Sequence, residues 1–242
     1  MRLDGVEIKV SFSHDQTPTA VTALNLPSPP PPWQIYFCED VNPGISTTPL
    51  LDLNVIMRAR VRPDDDDDLT IKLRPCRTSQ FTDRWLEDTK KLKIEADWAG
   101  TRRVLAVSNT EEKQESVIPA VVAKRRPFID LFTQQQLDFL VDCVGSVINL
   151  GTLTVLPPVT AVRWGKRVTV GPPELELRAE RWTVDDLDFL ELSAVAGVEK
   201  ASAKQAAILE FINSLGLAVP EDQEPKTRQV MNHLVRASLR DM

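Results

Sequence analysis

Residues 6 to 12 read Val-Glu-Ile-Lys-Val-Ser-Phe, and three later segments repeat the same alternation of charged and apolar residues: Arg58-Ala59-Arg60-Val61-Arg62, Thr70-Ile71-Lys72-Leu73-Arg74 and Lys93-Ile94-Glu95-Ala96-Asp97. In a β-strand successive side chains point to opposite faces, so Glu7 and Lys9, then Arg58, Arg60 and Arg62, then Lys72 and Arg74, then Glu95 and Asp97 each share a face. One such strand is a solvated surface. Several, carrying bases and acids in separate groups, can line a polar cavity that holds a phosphate chain and its metal ion. Guanidinium and ammonium groups suit phosphate oxygens, and a hard divalent ion that keeps its waters needs only a few carboxylates.

Composition removes several other chemistries. Only two histidines, His14 and His233, are present, which excludes a multi-histidine metal site and argues against a Ser-His-Asp triad. No G-x-G-x-x-G, Walker-type, G-x-S-x-G or H-E-x-x-H string occurs. Cys38, Cys76 and Cys143 are odd in number and far apart, as expected of reduced structural thiols rather than a disulfide scaffold or a zinc site. The net charge of -6 includes five negative charges from the run Asp64 to Asp68, so a basic cavity can hide inside an acidic average. The N-terminus has no apolar signal core and no stretch is long and apolar enough to span a bilayer. A soluble, cytoplasmic protein is expected, with neither nucleic acid nor membrane as partner.

The elements that must position these residues follow from periodicity. After the first strand, Thr17 to Leu26 reads as a short helix and Pro27 to Pro32 as an extended spacer. Strands are expected at Gln34 to Cys38, Val55 to Arg62 and Leu69 to Arg74, the last two forming a hairpin with the aspartate run as its solvated tip. A short helix near Thr82 to Thr89 precedes a second hairpin, Leu92 to Trp98 and Arg103 to Ser108. From Glu111 the spacing of Phe128, Leu131, Phe132, Leu137, Phe139, Leu140 and Cys143 turns helical, giving an insert over residues 111–150. Strands resume at Leu153 to Leu156, Ala161 to Val170, Glu174 to Arg181 and Leu187 to Ser193, and helices at Ser202 to Leu215 and Lys226 to Leu239 close the chain. This order points to an α+β fold, a single domain over 1–242 whose antiparallel barrel or strongly curved sheet carries helices outside it.

On these residues the chain resembles the CYTH superfamily, the triphosphate tunnel metalloenzymes. The matches are an E-x-K strand (Glu7, Lys9), a Tyr36-Phe37 strand start, R-A-R followed by K-L-R-P (Arg58, Arg60, Lys72, Arg74, Pro75) and K-x-E-x-D (Lys93, Glu95, Asp97). Phe189 to Ser193 and Pro225-Lys226-Thr227-Arg228 resemble the closing strand and terminal helix of a bacterial-type branch. The resemblance implies an eight-stranded antiparallel β-barrel around a charged tunnel, helices packed outside, and metal-dependent hydrolysis of inorganic, nucleoside or thiamine triphosphate with Mg2+ or Mn2+. It implies phosphate binding by Lys9, Arg58, Arg60, Lys72, Arg74, Arg163, Lys226 and Arg228. It implies metal binding by Glu7, Glu95, Asp97, Glu176 and Glu191, with Glu95, Asp97 and Lys9 at the chemistry. Alternatives are cyclase-type chemistry on ATP and a non-catalytic or repurposed tunnel that binds a phosphate or pyrophosphate compound. The chain departs from the family's E-x-E-x-K motif at Gly5, with Asp4 one residue out of phase.

Overall fold

Most strands of this chain carry an apolar face and a face rich in charged residues, and the fold puts the charged residues inside. The computed structural model describes residues 3–42, 48–87, 92–170, 175–219 and 223–240. Its strands are β1 (Gly5–Ser13), β2 (Trp33–Glu39), β3 (Val55–Val61), β4 (Asp67–Leu73), β5 (Lys93–Ala99), β6 (Arg102–Lys113), β7 (Thr154–Val155), β8 (Val159–Val170), β9 (Leu175–Val184) and β10 (Leu187–Ala196). The helices are α1 (Thr17–Ala23), α2 (Pro49–Asp52), α3 (Asp83–Glu87), α4 (Val117–Val122), α5 (Gln134–Val144), α6 (Ala201–Ser214) and α7 (Lys226–Arg240). The sheet runs β3-β4-β6-β5-β1-β10-β9-β8-β2, and pairing of β3 with β2 closes it into a barrel, with β7 attached to the end of β2.

The barrel therefore has nine strands rather than the expected eight, and it is mixed rather than purely antiparallel. The two corrections have one cause. Directions cannot alternate all the way round a closed ring with an odd number of strands, so one neighbouring pair must be parallel. That pair is β1 with β5, whose long connection satisfies the requirement of a parallel crossover. All other pairings in the barrel are antiparallel.

Three apolar clusters account for the helices. Val6, Ile8, Val10 and Phe12 of β1, with Leu177, Leu190 and Leu192, face outward under α6 and Ala20 of α1. On the other side Met57, Leu69, Ile71 and Val107 lie under Trp85, Ile118, Phe139 and Leu140 of α3, α4 and α5. Helix α5 starts at an N-cap, Thr133, whose hydroxyl accepts from Gln136 N, and ends at Gly145 with φ 72°, a backbone geometry glycine adopts without cost. The third cluster lies inside the barrel. Phe37, Ile56, Trp182 and Phe189 share the inward parity of the charged residues and pack against Val230, Met231, Leu234 and Val235 of α7. Helix α7 thus plugs one end, and the tunnel is blind.

Two boundaries differ from expectation. The segment from Glu111 stays extended to Lys113, because it continues the ladder with Asp67 to Leu69, and helix begins only at Val117. Asp67 and Asp68 belong to β4 and are buried rather than solvated. Arg60 Nε donates to Asp68 Oδ1 at 2.9 Å, so a paired cation offsets the cost of burying Asp68, and the backbone amide of Arg62 donates to Asp67 Oδ1 at 3.1 Å.

Candidate functional site

The closed register brings together the inward faces of strands far apart in sequence. Glu7 of β1 lies opposite Asp97 of β5, Ser11 opposite Glu191 of β10, and Glu191 opposite Glu180 of β9. Arg58 of β3 pairs with Thr70 of β4, next to Lys72. The cavity they enclose, about 370 Å3, is lined among the described residues by ten basic side chains and five acidic ones.

The charges form two linked groups. On one wall Lys9 Nζ lies 2.8 Å from Glu7 Oε2 and 3.0 Å from Asp97 Oδ2, while Arg74 Nη1 reaches the same Asp97 oxygen at 2.9 Å and Lys72 Nζ stands 3.9 Å away. Burial works against charge on both acids, yet the neighbouring cations outweigh it: Glu7 is held down at about 2, and Asp97 lies well below the ordinary carboxylate range. Burial also opposes the Lys9 ammonium, but Glu7, Asp97 and Glu191 overcome it and raise its pKa. Lys72 goes the other way. Burial, then the Lys9 charge, lower it to about 8.

The second group sits toward the plugged end. Lys226, at the first turn of α7, places Nζ 3.1 Å from Glu180 Oε1, 3.2 Å from Glu191 Oε1 and 4.1 Å from the centre of the Trp182 ring. Trp182 Nε1 donates to Glu180 Oε1 at 2.6 Å. Glu180 is pushed up by burial but pulled further down, to about 2, by Lys226, Arg163 and Arg58. The segment carrying Lys226 is pinned by Gln223, whose amide accepts from Ser11 N at 2.8 Å and donates to Ser11 O at 3.3 Å. In this way a side chain continues the ladder on the edge of β1 beyond the point where β5 ends.

Arg58 stands between the groups. Its Nε is buried with no hydrogen-bond partner among the described residues, and burial followed by repulsion from Arg60 lowers its pKa to about 10. A buried donor without an acceptor costs free energy that an anionic ligand would recover.

Of the residues singled out from sequence, Glu7, Lys9, Arg58, Arg60, Lys72, Arg74, Glu95, Asp97, Arg163, Glu191 and Lys226 line the cavity. Glu176 and Arg228 do not. Glu176 shares the inward parity of Glu180 but lies four residues, about 13 Å, further along β9, where it is exposed. Arg228 is two residues beyond Lys226, about 200° round the helix, and meets Asp52 of α2 at 3.6 Å. Sequence reasoning passed over Arg102, Arg178, Glu180 and Trp182, which do line the cavity. Alternation in Leu175-Glu176-Leu177-Arg178-Ala179-Glu180 marked the right face of β9, but not which residue along it reaches the centre.

The carboxylates fit one kind of metal site. Among the described residues no three His, Cys, Asp or Glu side chains converge on a point that could hold an ion, and the Lys9 ammonium lies between Glu7 and Asp97. Such a set suits Mg2+ or Mn2+ that shares phosphate oxygens and keeps its waters, not an all-protein cage. Gly5, opposite Glu95 on β1, adds no ligand: a Cβ there would lie 3.0 Å from Val195 Cγ1 and 3.3 Å from Ala196 O.

No family model matches the chain, and no curated protein matches it by sequence. Solved structures do. A putative adenylate cyclase from Bacillus halodurans superposes with a TM-score of 0.59 at 10% identity, covering 93% of this chain and 97% of that one. A putative adenylyl cyclase from Hippeastrum, described as having a dominant triphosphatase activity, gives a TM-score of 0.56 at 15% identity, covering 97% and 96%. At these identities the likeness is one of fold. It extends over nearly the whole of all three chains.

Proposed function

We propose that this chain binds the phosphate chain of a triphosphate compound in the blind tunnel and hydrolyses its terminal anhydride. The candidate substrates are inorganic, nucleoside and thiamine triphosphate. The observation that carries this reading is the two-to-one excess, among the described residues, of basic over acidic side chains in a cavity closed at one end, with the Arg58 Nε donor left without a partner among them. Lys9, Arg58, Lys72 and Arg74 would grip the phosphate oxygens, with Arg60, Arg163 and Lys226 around them. Phosphoryl transfer asks a protein for position and charge stabilisation rather than covalent chemistry, and such a cage supplies both. Glu7 and Asp97, with Glu95 and Glu191 beside them, would hold Mg2+ or Mn2+ together with the substrate. When bound, that ion would polarise the terminal phosphoryl group and acidify water. The fold shared with the Hippeastrum protein described as having a dominant triphosphatase activity supports the reading, as does the terminal motif around Lys226, which resembles that of a bacterial-type branch of the superfamily. A cytoplasmic setting accords with the absence, among the described residues, of any helix long and apolar enough to cross a membrane.

A second reading, a tunnel that binds phosphate compounds without turning them over, is favoured by Gly5, where Val195 fills the place of a further acid. Phosphate release from triphosphate, ATP, thiamine triphosphate and pyrophosphate, with Mg2+ or Mn2+, separates the two. Chromatography of the ATP reaction distinguishes hydrolysis from cyclase-type chemistry. Turnover lost in Glu95→Gln and Asp97→Asn supports the hydrolase. Triphosphate binding without turnover supports the second reading. If there is neither binding nor turnover, and Arg58→Ala changes nothing, both readings fall.

A further inference from the structure

We infer that the empty tunnel takes up the phosphate chain without a divalent ion, and that an ion-binding site forms only once the phosphates are in place. This rests on the proposed function and fixes the form in which its substrate is bound. Three features of the cavity support it.

The first is charge. Among the described residues the ten basic side chains of the cavity exceed the five acidic ones by five, while a triphosphate chain carries about four negative charges. The protein can therefore neutralise the ligand by itself. A divalent ion on the substrate would cancel charge that the cavity is built to attract.

The second is that the carboxylates are already engaged by internal cations. Lys9 lies within 3.0 Å of both Glu7 and Asp97, Lys93 lies 2.6 Å from Glu95, and Lys226 bridges Glu180 and Glu191. A free ion entering the empty cavity would have to displace these ammonium groups and would meet the repulsion of the basic excess. Phosphate oxygens draw on Lys9, Lys72 and Arg74 instead, and so release Glu7 and Asp97 to serve as ligands. The Gly5 position offers no compensating acid, since Val195 crowds it.

The third is Arg58. Its buried Nε has no acceptor among the described residues, and a phosphate oxygen supplies one whether or not an ion comes with it. What this donor lacks is an anionic acceptor.

The test is isothermal titration calorimetry of the full chain in three arms: sodium tripolyphosphate in EDTA, sodium tripolyphosphate in excess Mg2+, and Mg2+ alone. The expected result is a chelator-arm affinity within roughly tenfold of the Mg2+ arm, and no binding heat for Mg2+ alone. Thermal melting reads the same outcome independently, with a shift produced by tripolyphosphate in EDTA and none by Mg2+. Binding weakened by roughly a hundredfold or more in EDTA, or heat from Mg2+ alone, overturns the inference and leaves the proposed function standing. Absence of tripolyphosphate binding in every arm overturns the proposed function itself. Glu7→Gln adds a further check, because removing a carboxylate from beside Lys9 should tighten binding in EDTA. A loss of chelator-arm affinity in a folded Glu7→Gln protein counts against the inference.

Discussion

Replacing Lys226 by methionine tests the coupling between the α7 plug and the tunnel. The Lys226 side chain is 5% exposed, and its ammonium contacts Glu180, Glu191 and the Trp182 ring. Methionine keeps the stem and removes the charge, leaving two acids in a barrel without their shared cation. Glu180 gives the scale. Its pKa, 4.5 in the open chain, is held at about 2 in the fold despite burial, chiefly through Lys226, and at 1.36 kcal/mol per unit that is about 3 kcal/mol. Removing one partner from a buried ion pair costs a similar amount. The sign follows from the lowered value: the stability from Glu180 is fully present above pH 4.5 and is lost as pH falls through about 2. Without Lys226 the burial penalty dominates, so Lys226→Met should cost about 3 kcal/mol near pH 7, or about 6–12 °C in Tm for a chain of this size. The gap should narrow as pH falls below 4.5. Urea unfolding of both proteins at pH 7 and pH 3.5, followed by tryptophan fluorescence and circular dichroism, measures it. A cost below about 1 kcal/mol at pH 7, or the same cost at both pH values, would show that Lys226 does not hold Glu180.

Arg58→Ala removes the unpaired donor and one charge, and should weaken tripolyphosphate binding by roughly ten- to a hundredfold in calorimetry, the usual worth of a charge-assisted hydrogen bond. Unchanged affinity would place the ligand elsewhere. Gly5→Ala should cost about 1 kcal/mol, since its Cβ meets Val195 Cγ1 at 3.0 Å; the double variant with Val195→Ala should recover most of that in thermal melts, and no recovery would mean that Ala196 O sets the limit. Lys72, lowered to about 8 by burial and Lys9, should regain a proton when an anion binds beside it. Titrations near pH 8 in buffers of different ionisation enthalpy should show uptake of about half a proton per ligand, and zero uptake would remove Lys72 from the phosphate site.

Much of the site was visible in the chain because a strand's alternation is a local property. Glu7 and Lys9, Arg58 and Arg60, Lys72 and Arg74, and Glu95 and Asp97 all turn inward together, as two-residue spacing requires. The hairpins β3-β4 and β5-β6, joined by short turns, were legible for the same reason. What alternation cannot report is depth. Glu176 and Glu180 share a face of β9, but only Glu180 reaches Lys226, since the distance of a residue from the cavity centre depends on how neighbouring strands are staggered. Helical phase likewise separates Lys226 from Arg228, and that needs the docked position of α7 rather than a motif.

By itself, then, the sequence determined that charged faces exist, which residues share them, and that apolar faces demand helices to cover them. Only the tertiary structure decided that nine strands close with one parallel pair, that α7 seals one end, and that Lys9 and Lys226 already occupy the acids of the cavity. Those outcomes depend on contacts between residues up to some two hundred positions apart, such as Ser11 with Gln223. Ring closure and burial set such contacts, and no local pattern of residues encodes them.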